Sequence, residues 1–149
     1  MRPALVAMAG ATALLVAGCV TPAPSTSAYE SKAGMTAEAA VSEVRTAIVA
    51  TDAFLAGRMN SAYLETLLVG SEESLGSVHD TFDSVQPPAT ARADAVRGTL
   101  DPLLDDAGAA VTELRIAARR DRSDDLRTTA GDLSSVADQL ESFGKQHAS

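Results

Sequence analysis

Apolar residues in this chain recur three and four positions apart in four successive stretches, and that spacing restricts the fold more than any other feature. Val41, Val44, Ile48, Thr51 and Leu55 fall on one face of a 3.6-residue helix. Thr36 serves as the N-cap of that segment and Gly57 as its stop. A second segment follows Asn60, with Leu64, Leu68, Ser71, Leu75, Val78, Phe82 and Val85 as its stripe. It ends at Pro87-Pro88, where proline removes an amide donor and restricts the residue before it. A third begins near Thr90, and Val96, Leu100, Leu103, Ala107, Ala110, Leu114 and Ala117 keep one phase through it. Pro102 lies inside this third run. The alternatives are a kink with Pro102 on the outer face, or a break with Asp101 as N-cap; the unbroken phase favours the kink. The fourth follows Asp121 or Ser123 as cap, carries Leu126, Leu133, Val136, Leu140 and Phe143, and stops at Gly144.

No segment alternates with period two, so strands are not expected. Four amphipathic helices joined by short turns predict an all-α fold, an up-down-up-down antiparallel four-helix bundle over residues 36–144, with a frayed tail over 145–149. A three-helix bundle with a first hairpin unbroken through Gly57, or a dimer of helical hairpins, would fit the same periodicity. Gly70, Gly76, Gly98, Gly108 and Gly131 fall off the stripes, each costing up to about 1 kcal/mol of helix stability relative to alanine.

Ahead of the helices, Val20 to Gly34 holds Pro22, Pro24 and several serines and threonines without apolar periodicity. It reads as a flexible tether with a reach of roughly 20 Å. The chain itself opens with a basic Met1-Arg2-Pro3 and an apolar run from Ala4 to Val16. That run is shorter than the roughly 20 residues needed to span a bilayer, and reads as a secretory signal. Its end, Leu15-Val16-Ala17-Gly18-Cys19, resembles the lipobox of bacterial lipoproteins. The resemblance covers the first 19 residues and implies a signal peptide over 1–18, cleavage between Gly18 and Cys19, and a diacylglycerol thioether on Cys19. Residues 19–35 would then form the lipidated N-terminus and its tether. Cys19 is the single cysteine of the chain, so an internal disulfide cannot account for it. A diacyl anchor is firm, because each buried methylene contributes about 0.8 kcal/mol.

Composition narrows the function classes. The net charge is −8, and removing the signal with Arg2 makes it −9. Such a surface argues against nucleic acid, which needs clustered cations. Tyr29, Phe54, Tyr63, Phe82 and Phe143 are the aromatics, too few for a base- or sugar-stacking platform. No nucleophile elbow, haem attachment signal or other cofactor signature is present, and the expectation is a protein that is not an enzyme and has no cofactor.

Two groups of side chains stand out. Arg58, Arg119, Arg120 and Arg122 would gather at the far tip of the bundle, away from the lipid, as a contact for an acidic protein or an anionic wall polymer. The plainer account is that Arg115, Arg119 and Arg120 complement the C-terminus of the third helix while Asp121, Asp124 and Asp125 cancel the local field. Glu72, His79 and Asp83 lie along one stripe beside the core, a weak arrangement for a divalent metal, since a buried site needs ligands from a facing helix. The expected role is a lipid-anchored extracytoplasmic protein that contacts an envelope protein or polymer. The alternative is a small-ligand or metal-binding lipoprotein associated with an uptake system.

Overall fold

A computed structural model describes residues 21–148 and resolves them into four helices: α1 (Thr26–Leu55), α2 (Ser61–Asp83), α3 (Ala91–Arg119) and α4 (Ser123–His147). Residues 1–20, with the expected signal segment and Cys19, lie outside the described residues. Each helix packs against its neighbours in sequence, α4 closes onto α1, and α1 also reaches α3 across the diagonal. The chain is thus all-α, with the helices packed as a four-helix bundle. No helix among the described residues is long and apolar enough to cross a membrane.

Leucines dominate the core of three helices. Leu64 and Leu68 of α2, Leu100 and Leu114 of α3, and Leu126, Leu133 and Leu140 of α4 are all fully buried. Each contributes about 1.5–3 kcal/mol relative to exposure. The stripe of α1 is different: Ala33, Ala37, Ala40, Ala47 and Ala50 carry most of it, with Val44 and Thr51. The Thr51 hydroxyl is satisfied by donating to the Ala47 carbonyl at 2.9 Å.

The start of α1 and the end of α4, which meet at one end of the bundle, differ from the sequence expectation. Helix α1 begins at Thr26, ten residues ahead of Thr36, and Ser25 is its N-cap, accepting from the Ala28 amide at 3.1 Å. Most of the supposed tether is therefore helix. Its anchors are Tyr29, Ala33, Gly34 and Ala37, all buried, and small residues give little apolar signal. Helix α4 does not stop at Gly144 but runs to His147, so most of the supposed frayed tail is helical too. Gly144 is buried against α1: a Cβ there would meet the Glu38 side chain at 3.4 Å and the Gly34 carbonyl at 3.7 Å. A Cβ on Gly34 would stand 2.9 Å from the His147 carbonyl oxygen. The two glycines let the helices approach closely at this end.

The segment before α1 is also held. Thr21–Pro22 (β1) pairs in parallel with Val85–Gln86 (β2), and the Ala23 amide donates to the Gln86 carbonyl at 3.2 Å. A pairing of two residues is too short to show period-two alternation, which is why no strand was expected. Val85 leaves the α2 stripe for this pairing but remains buried.

At the opposite end, α1 and α3 finish in the same way. The Gly57 amide donates to Phe54 O and the Arg58 amide to Ala53 O, a Schellman closure with Gly57 at φ +70°. Asp121 and Arg122 make the equivalent bonds to Ala118 O and Ala117 O, with Asp121 at φ 52°. Asp121 is thus the left-handed closing residue of α3 rather than a cap for α4, whose N-cap Arg122 makes no side-chain capping bond. The first hairpin breaks at this Gly57 turn, which excludes the three-helix alternative. Pro102 sits exposed within a continuous α3, as the unbroken phase implied, and Asp101 caps nothing.

Candidate functional site

Polar side chains line the seam between α2 and α3. On α2, Glu65, Glu72 and His79 are seven residues apart, and Asp83 follows one turn on. On α3, Arg97, Asp101 and Asp105 are four apart, as are Arg115 and Arg119. Helical spacing turns each set toward its partner.

Glu72 is committed to α3. Arg115 grips it through Nε at 2.5 Å and Nη2 at 3.2 Å, and the Thr112 hydroxyl donates to it at 2.8 Å. The hydrogen bonds from Arg115 hold the Glu72 carboxyl below its usual range despite partial burial. The structure therefore separates Glu72 from the metal arrangement read along α2.

His79 and Asp83 are instead joined by Asp101. One ligating atom from each of these three lies within 4.8 Å of the other two. His79 Nε2 is 3.6 Å from Asp83 Oδ2, and His79 Nδ1 is 3.6 Å from Asp105 Oδ1. Arg97 bridges the carboxylates from the other side, with Nη2 2.8 Å from Asp83 Oδ1 and Nε 3.1 Å from Asp101 Oδ2. Burial opposes the Arg97 charge, but Asp101 and Asp83 outweigh it and hold the guanidinium more firmly protonated than usual.

Among the described residues, Asp101 Oδ1 is buried with no hydrogen bond, and so is the hydroxyl of Tyr29, whose residue is fully buried. The Tyr29 ring packs on Phe82 with centroids 5.5 Å apart. Burial raises its phenol pKa, Arg97 acts to lower it, and the charges of Asp101 and Asp83 raise it further. Tyr29 had been assigned to the tether, and Asp101 was weighed only as a cap beside Pro102. The four-residue spacing of Arg97, Asp101 and Asp105 was the available signal.

The arginine group comes together only in part as a free cationic surface. Arg58 lies in the α1–α2 turn and Arg119, Arg120 and Arg122 at the α3–α4 turn, at the same end of the bundle. Arg119 is paired with Glu65 of α2, and Arg122 Nη1 lies 2.8 Å from Asp125 Oδ2. Arg58 and Arg120 are exposed and make no ion pair among the described residues. Beside the turn that carries Arg58, α1 and α2 leave an open, largely apolar groove of about 410 Å³ lined by Arg45, Val49, Ala53, Met59, Tyr63 and Leu67 among others. Val49 is 66% and Tyr63 55% exposed.

Fold and site together define a four-helix protein with a polar, histidine-containing cluster between two of its helices. No family model, curated protein or solved structure is significantly similar to the chain.

Proposed function

We propose that this protein is a lipid-anchored component of a bacterial cell envelope, held on the outer face of the plasma membrane through Cys19, with a non-enzymatic binding role. The observation that carries this reading is Leu15-Val16-Ala17-Gly18-Cys19, with the single cysteine at the position where lipid would be attached. The pairing of Thr21–Pro22 with Val85–Gln86 refines it. Only Cys19 and Val20 precede the paired segment, and two residues span at most about 7 Å. The bundle would then stand directly on the lipid surface, its α2–α3 turn facing the membrane. The apolar groove at Val49 and Tyr63, with Arg58 and Arg120, which make no ion pair among the described residues, would face outward, toward an acidic protein or anionic polymer of the envelope.

Intact mass of the chain extracted from its native membrane tests the anchor. The expected species begins at a diacylated Cys19 and disappears in Cys19→Ala. Recovery of unlipidated wild-type chain from the medium would refute the reading.

A further inference from the structure

We propose that His79, Asp83 and Asp101 bind one divalent transition ion of the Zn2+ type between α2 and α3. The three side chains come from two facing helices, as an enclosed bundle site requires, and offer one imidazole nitrogen and two carboxylates. Ligand atoms on tetrahedral zinc stand about 3.3 Å apart, given bond lengths near 2.0–2.1 Å. The 3.6 Å between His79 Nε2 and Asp83 Oδ2 is too long for a hydrogen bond but close to that spacing. One Asp101 donor atom lies within 4.8 Å of the other two ligand atoms, and a side-chain rotation would bring it to ligand spacing.

Two neighbours fit the same assignment. Asp105 lies 3.6 Å from His79 Nδ1, beyond hydrogen-bond distance but near enough for a small side-chain shift to bring it behind the imidazole when an ion holds Nε2. Arg97 occupies Asp83 Oδ1 and Asp101 Oδ2, leaving Asp83 Oδ2 and the unpartnered Asp101 Oδ1 for the ion. The imidazole selects a borderline ion over Mg2+ or Ca2+, which prefer oxygen ligands alone. This assignment does not depend on lipidation.

The test is calorimetric titration of Zn2+ into the full chain in detergent, carrying Cys19→Ser to remove the thiol as a competing ligand. One Zn2+ per chain is expected, without comparable binding of Mg2+. His79→Gln and Asp101→Asn should each weaken it more than about 100-fold, and Asp105→Asn about tenfold. His147→Gln, which alters the other histidine, should leave it unchanged. Helical circular dichroism of each variant verifies the fold; should Asp101→Asn unfold, the partly exposed His79→Gln decides alone. Absence of a one-to-one complex, equal binding of Mg2+, or Zn2+ affinity retained in His79→Gln would overturn the proposal.

Discussion

The α1–α4 and α2–α3 seams hold the same bundle together by different means. Between α1 and α4, the most extensive of the helix pairings, small residues admit close backbone approach: Gly34 lies under the His147 carbonyl and Gly144 under Glu38 and Ala37. Between α2 and α3, buried leucines are flanked by cross-helix polar contacts, Glu65 to Arg119, Glu72 to Arg115, His79 to Asp105 and Asp83 to Arg97. Close approach makes α1–α4 sensitive to added volume. The α2–α3 seam is sensitive instead to lost volume and, with four cross-helix charged contacts against the exposed Arg45 pairing with Asp138 and Glu141 on α1–α4, more sensitive to charge.

Four substitutions sharpen this contrast. The largest effect is expected from Leu68→Ala, which leaves a cavity beside a fully buried position and should cost about 2–5 kcal/mol in denaturant unfolding. A loss under 1 kcal/mol would mean that the leucine side is loosely packed. Next comes Gly34→Val. Its Cβ would press on a backbone oxygen rather than a flexible side chain, and overpacking of this kind costs about 1–3 kcal/mol. Removing residues 145–149 should recover much of that loss. No recovery would place the strain elsewhere.

Glu72→Gln should cost about 1 kcal/mol at neutral pH, since it weakens charge-assisted bonds on a partly exposed group. The sign of its pH dependence follows from the lowered folded-state pKa of Glu72. The contribution is present above the unfolded carboxylate pKa and is lost as pH falls through the folded value. Thermal melts of wild type and Glu72→Gln should therefore converge in acid and separate toward neutrality; a gap independent of pH would deny the ion pair its role. The smallest effect is a gain. Gly98→Ala, with open space around the new methyl, should stabilise α3 by about 0.5–1 kcal/mol in the same melts.

The two seams also differ in how legible they were. Leu64, Leu68, Leu75, Leu100 and Leu114 announced α2 and α3 through their spacing, and Pro87-Pro88 fixed the turn between them. The start of α1 and the end of α4 were hidden, because Ala33, Gly34, Ala37 and Gly144 are buried by proximity rather than by size. Alanine and glycine beside Ser and Pro read as a linker, and a glycine near a chain end reads as a stop. The same weakness hid part of the site. His79 and Asp83 were visible on one helix face, whereas Asp101 was masked by the capping pattern of its neighbour Pro102, and Tyr29 by its place in the supposed tether. Which α3 residues face which α2 residues is a matter of helix register across space, and periodicity within one helix does not carry it.

The central claim is that α1 is folded and docked from its first turn, so that the bundle begins within a few residues of Cys19. Hydrogen–deuterium exchange of residues 26–35 in the full chain tests it most directly. The account requires protection comparable to that of residues 40–50 of the same helix. Amides over 26–35 exchanging as fast as an unstructured peptide would contradict it, restore a long tether ahead of the bundle, and undo the packing of Tyr29 on Phe82.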